Sequence, residues 1–255
     1  MQGDAAAQAS GALLMTAVLF CRIGGCLMLM PGFSSPRIPP QVRLFVALAV
    51  TLVLAPVLVP KFQAAAPDLS ANGVVRLLIV ETLAGAAIGL MGRFFFLALQ
   101  FLASAVATMI SFTGVPAVPV EEADPVPAFA TLILLSSTLL FFVSGQHWEV
   151  LQALIDSYRV LPVGAPYMAE LQVSRLLDVL SRACLLALQV TGPFILFAVI
   201  VNLLFGIVNK LSPQVPVFFI SIPFILSGAF FLLFFGSSEI LLLFMEGFSD
   251  WLQRG

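Results

Sequence analysis

Six apolar stretches, at 11–31, 42–60, 74–113, 127–145, 176–208 and 215–246, leave this chain few ways to fold. About 20 apolar residues cross a bilayer as a helix, because hydrocarbon offers no partner to backbone N–H and C=O groups and the segment must satisfy its own. The stretches 74–113, 176–208 and 215–246 exceed a single crossing. The first of them reads as two spans broken around Gly89-Leu90-Met91-Gly92-Arg93, and Gly192-Pro193 reads as a kink or break in the second. The expectation is an all-α, multi-helix integral membrane protein of six to eight helices forming one compact unit over 1–255. The intervening gaps, 31–41, 60–73, 113–127 and 145–175, are rich in Pro, Gly or charge and read as loops.

Composition agrees with a membrane class. Hydrophobic residues make up 61% of the chain and charged residues 9%, against about 25% charged in soluble domains. The net charge of −2 comes from 11 basic and 13 acidic side chains with no basic cluster, which excludes a nucleic-acid footprint. Cys21, Cys26 and Cys184 have neither zinc-type spacing nor a disulfide framework and read as small core residues. No Lys or Arg precedes the first apolar stretch, which itself contains Arg22, so a cleaved signal peptide is not expected. Arg37 and Arg43 favour a cytoplasmic first loop, whereas Glu121, Glu122 and Asp124 make a later loop acidic, and orientation stays open.

Polar groups inside the apolar stretches narrow the function. Arg22, Glu81, Arg93, Asp178, Arg182, Lys210 and Glu239 would each cost several kcal/mol in hydrocarbon without a partner or water. Glu81 and Arg93 stand about 18 Å apart along one helix and need other helices. Asp178 and Arg182, spaced i,i+4, read as a local structural pair. Three polar or small-residue stripes point to helix contacts: Glu81, Gly85 and Gly89; then Arg93, Gln100, Ser104, Thr108 and Ser111; then Asn202, Gly206 and Asn209. The last leads into a polar knot, Gly206 to Pro223, which holds Asn209-Lys210-Leu211-Ser212-Pro213-Gln214 and lies between two apolar runs. Packing within one bundle, a surface for neighbouring subunits and a water-filled pore all accommodate these stripes.

Catalysis has no constellation to work with. His147 is the single histidine and has no second histidine, cysteine pair or carboxylate cluster beside it in sequence. There is no P-loop, and Gly89-x-x-Gly92 lacks the remaining elements of a dinucleotide fingerprint. Glu121-Glu122-Ala123-Asp124, between prolines, reads as a solvated acidic loop rather than a cation site. No enzymatic activity, cofactor or metal is expected.

An ordered set of motifs resembles the FliR family of flagellar export-gate proteins over nearly the whole length. The motifs are Arg22-Ile23-Gly24-Gly25 leading to Pro31-Gly32-Phe33; Pro39-x-x-Val42-Arg43; Gly145-Gln146-His147-Trp148; Leu161-Pro162-Val163-Gly164; and Gly206 to Gln214 with Phe218-Phe219-Ile220 and Pro223. The resemblance implies inclined long helices and helical hairpins within a helical export-gate assembly in the bacterial inner membrane, at the flagellar basal body. It implies a FliP-like portion over 1–168 and a FliQ-like hairpin over 169–255, whose turn is the knot. Its implied partners are FliP-like, FliQ-like and FlhB-like proteins, and its cargo is unfolded flagellar protein. Arg22, Glu81, Gly85, Gly89, Arg93, Asn202, Asn209, Lys210, Pro213 and Gln214 are then subunit-contact candidates. Ile110, Phe112 and Val115 belong to the stretch matching the family's pore plug, here longer and more acidic than usual. The equivalent subunit of a virulence secretion system is the alternative within the family. An independent secondary transporter or channel is the alternative outside it.

Overall fold

The computed structural model describes residues 2–35, 38–63, 71–110, 127–164, 169–212, 214 and 217–254. Among them are seven helices: α1 (Gln2–Leu29), α2 (Pro40–Gln63), α3 (Ala71–Met109), α4 (Ala128–Val143), α5 (Gln146–Val160), α6 (Ala169–Leu211) and α7 (Val217–Arg254). The protein is all-α. Helices α1, α2, α3, α6 and α7 each contain a segment long and apolar enough to cross a membrane.

Two expectations about breaks are corrected. Helix α3 runs unbroken through Gly89 and Gly92, because those glycines seat another helix instead of interrupting their own. Helix α6 runs unbroken through Gly192-Pro193. Pro193 removes one N–H from the ladder, a loss that apolar helices tolerate where neighbouring helices and local backbone adjustment satisfy the freed carbonyl. The gap 145–175 is also corrected from loop to structure, since it holds α5 and the start of α6. Helix α5 forms no continuous apolar stretch because it is amphipathic, burying Val150, Leu154 and Tyr158 while exposing Trp148.

Glycines with positive φ lie in three of the loops: Gly32 at 83°, Gly145 at 76° and Gly164 at 81°. Gly145 directly follows the C-cap of α4, where a left-handed residue ends the helical path, and Gly32 and Gly164 lie in the turns after α1 and α5. All three fall inside motifs that carried the family resemblance. Arg43 fixes the first of these loops by donating Nε to the Ile38 carbonyl (3.0 Å) and Nη2 to that of Ser35 (2.5 Å).

The chain forms two compact units, each assembled from two separate stretches: Met1–Arg93 with His147–Val179, and Phe94–Gln146 with Leu180–Gly255. In the first, Met15, Val18 and Leu19 of α1 share a core with Leu58 and Val59 of α2, while Ile23, Cys26 and Leu27 meet Ala47. That register makes α1 and α2 an antiparallel hairpin. In the second unit the core is aromatic: Phe95 and Phe96 of α3, Phe141 of α4, and Phe244, Phe248 and Trp251 of α7 meet mostly edge to face. Such contacts place ring edges against the electron-rich faces of neighbouring rings.

Candidate assembly surfaces and the buried polar centre

In the first unit, small residues bring the backbones of α1 and α3 together. A Cβ at Gly85 would collide with the backbone of Arg22, one at Gly89 with that of Cys26, and one at Gly25 would stand 2.7 Å from the Thr82 carbonyl. Gly92 lies under Met30, whose Sδ would be 2.8 Å from an added Cβ. Residue numbers rise together along both helices, so the helices run parallel in a small-xxx-small packing.

This close approach sets Arg22 against Glu81, one turn before Gly85. Nε donates to Oε2 at 2.5 Å and Nη2 to Oε1 at 2.9 Å, and both side chains are fully buried. The remaining donors are also engaged: Nη1 and Nη2 each reach the Leu161 carbonyl at 3.0 Å, and Nη1 reaches Ser157 Oγ at 3.3 Å. All five guanidinium N–H groups are thereby used. The Tyr158 ring covers the guanidinium at 4.0 Å, and Glu81 accepts a further bond from the Gly164 backbone. A planar fork that matches a carboxylate bidentately is what this geometry requires, and lysine could not reproduce it.

The expectation that Glu81 needs another helix therefore has its answer in α1. Sequence reading missed the rest of the centre, Ser157, Tyr158 and the Leu161 carbonyl, although Leu161-Pro162-Val163-Gly164 stood out as a motif. Its chemistry is structural. Every polar atom of the Arg22–Glu81 pair faces a fixed partner, and among the described residues no group of three or more His, Cys, Asp and Glu side chains is arranged to hold a metal.

The other sequence candidates lie elsewhere. Arg93 is half-buried and makes no hydrogen bond or ion pair among the described residues. Ile110 is fully buried at the end of α3, its N–H bonded to the Val106 carbonyl at 2.9 Å. Phe112, Val115 and Pro213 lie outside the described residues. Asp178 and Arg182 are both exposed and form no ion pair among the described residues, so the expected local pair is corrected; ion pairs do join Arg22 to Glu81 and Asp156 to Arg159. Free of a low-dielectric surrounding, an i,i+4 pair is worth a few tenths of a kcal/mol and does not hold its side chains together.

In the second unit, α6 and α7 form an antiparallel hairpin. Phe205 meets Phe224, Gly228 accepts the ring of Phe197, and Gly247 lies under Leu186. The buried positions of α6, Val179, Ala183, Leu186, Val190, Phe194, Ala198 and Val201, trace one stripe at three- and four-residue spacing. Toward the turn that stripe ends, and 202–204 and 206–212 are exposed. Asn202, Gly206, Asn209 and Lys210 stand in this exposed region with Leu203, Ile207 and Leu211, and Gln214 follows, also exposed. A Cβ at Gly206 would meet nothing within 4 Å, and Asn202 Nδ2 donates to the Met109 carbonyl at 3.2 Å. Gln146, beside the glycine that ends α4, is buried and donates Nε2 to the Met245 carbonyl at 2.9 Å, tying the α4–α5 turn to α7. Apart from Phe205 this apolar helix end is exposed, yet it is studded with amides and a lysine that hydrocarbon would not satisfy.

Residues 13–251 match the family described as "Bacterial export proteins, family 1". The chain is similar to the flagellar biosynthetic protein FliR of Caulobacter vibrioides, with 27% identity over 82% of each chain. It is similar to its namesake in Aquifex aeolicus, at 27% identity over 94% of this chain and 92% of the relative, and in Escherichia coli, at 25% over 77% and 74%. With the match running from α1 to the last turn of α7, the chain belongs to family 1 of the bacterial export proteins, the family of the FliR proteins.

Proposed function

We propose that this protein is a non-enzymatic subunit of the flagellar type III export gate in the bacterial inner membrane, needed for flagellum assembly by passage of unfolded flagellar proteins. The family match across 13–251 carries this reading. The exposed polar knot on apolar helices fits it, since such a surface is mismatched both to lipid and to water. The partners in this reading are FliP-like, FliQ-like and FlhB-like proteins. Residues 1–168 form the FliP-like portion and 169–255 the FliQ-like hairpin, with Asn202, Asn209, Lys210, Pro213 and Gln214 at or near its turn meeting neighbouring subunits. Arg22, Glu81, Gly85 and Gly89 act on those contacts by fixing the subunit's own shape, Arg93 reaches a neighbour, and Ile110, Phe112 and Val115 belong to the pore plug.

Deleting the gene and coexpressing the chain with its FliP-like and FliQ-like partners tests the proposal. Loss of motility and of secreted flagellin, together with co-purification of the chain in a larger complex, is expected. A deletion strain that swims and secretes normally, or a chain that stays monomeric among its partners, overturns it.

A further inference from the structure

Helices α1 and α3 are in contact without the help of the Arg22–Glu81 pair. At Gly25, Gly85 and Gly89 they touch through backbone, including the backbone of Arg22 itself, so a change of side chain at position 22 or 81 leaves these contacts in place. Nor does burying two charges stabilise the first unit by itself, because their desolvation offsets much of their attraction. The pair has its other contacts where α5 ends and the chain turns toward α6.

Helix α5 stops at Val160, and Pro162 prevents it from continuing, which leaves carbonyls at this end without helical partners. Arg22 supplies donors there: Nη1 and Nη2 both reach the Leu161 carbonyl at 3.0 Å, and Nη1 reaches Ser157 Oγ at 3.3 Å. Ser157 is free to accept because its own hydroxyl donates to the Leu154 carbonyl at 2.6 Å. A cation at this position also complements the α5 dipole. Glu81 takes the far side of the turn by accepting the N–H of Gly164, where φ is 81°. One ion pair thus grips the turn at Leu161 and again at Gly164, and Ala169 opens α6 five residues later. Apolar cover is present too, since Tyr158 and Val163 pack with Met15, Leu19 and Leu77. Such packing is non-directional and tolerates sliding; a bidentate fork between fixed acceptors does not.

We infer that the Arg22–Glu81 pair is the clasp of the α5–α6 joint. Arg22, Glu81, Ser157 and Gly164 are positioning residues that fix where the chain enters α6, and export depends on that placement rather than on any net stability the pair contributes. The dependence of export on the clasp rests on the proposed function; the clasp itself stands on the hydrogen bonds.

Arg22→Met combined with Glu81→Leu tests this in the full-length chain, produced with its gate partners. The double variant strands no charge and keeps the glycine contacts. Its amide hydrogen exchange is expected to rise about tenfold or more in peptides covering 157–164, the effect of losing a charge-assisted hydrogen bond, and to stay near wild type in peptides covering 24–29 and 84–92. A strain carrying it is expected to lose secreted flagellin while holding the chain in its membrane at the wild-type amount. Unchanged exchange at 157–164, an equal rise in all three segments, or wild-type secretion overturns the inference. Should the double variant fail to accumulate, Ser157→Ala decides in the same assay, because it keeps both charges and removes one acceptor. A rise confined to 157–164 then supports the clasp, and exchange like that of wild type refutes it. A strain lacking the gene separates the two readings. If that strain secretes flagellin, the export function falls while exchange still judges the clasp; if it does not, and the double variant does, only this inference falls.

Discussion

At the residue scale, the Arg22–Glu81 centre is sensitive because it is complete. Two buried charges that satisfy each other are weak evidence of net stabilisation, since their desolvation offsets much of their attraction. Removing one of them is a different matter, as it strands the other in a dry interior. Arg22→Ala is expected to destabilise the first unit by about 3–5 kcal/mol, read as a fall in the thermal unfolding midpoint of the purified chain in detergent. Arg22→Lys should recover part of the loss, because an ammonium reaches Glu81 but not all five acceptor contacts. Arg22→Met combined with Glu81→Leu should be milder than either single change. A double variant as damaged as Arg22→Ala would show that the centre's value lies in its charges and not in avoiding an orphaned one. Glu81 was legible in the sequence as a group in need of a partner; which partner was not, since no local pattern links positions 22, 81, 157 and 161.

At the element scale, identical residues do opposite work. Gly85 and Gly89 let α1 approach α3 until backbones touch, whereas Gly206 faces open space. Gly85→Ala is expected to cost at least about 1–3 kcal/mol by pushing two helix backbones apart, since neither can yield as a flexible side chain would. Gly206→Ala should leave the isolated chain unharmed or stabilise it by about 0.5–1 kcal/mol, because alanine is the better helix residue. Comparing the unfolding midpoints of the two variants checks both. Should Gly206→Ala impair motility while the purified chain stays intact, the defect belongs to a partner contact. Gly145, Gly32 and Gly164 form a third class, in which the positive φ itself is needed. Gly145→Ala is expected to cost about 1–2 kcal/mol, measurable in the same assay. The Gly85-x-x-x-Gly89 spacing announced close packing, yet not with which helix. The same glycines, read as breaks, suggested two spans where α3 is one helix.

For the whole molecule, much of the surface is itself evidence. Long exposed apolar faces on α6 and α7 carry polar groups that lipid would not tolerate, and the proposed assembly would resolve that mismatch. Lys210→Glu is expected to leave the chain folded and in the membrane while reducing its recovery in the gate complex; a complex of normal size and yield would remove Lys210 from the interface. Deleting 112–120 is expected to raise the leak conductance of the assembled gate, and unchanged conductance would place the plug elsewhere. By itself the sequence determined the class, the apolar helical stretches and the family, because length, apolarity and ordered motifs are local or linear properties of the chain. The antiparallel hairpins, the α1–α3 contact and the two interleaved units were decided only in the tertiary structure. The reason is that Arg22, Glu81 and Leu161 acquire their roles by meeting across helices, and distance in space between them is written at no single position of the chain.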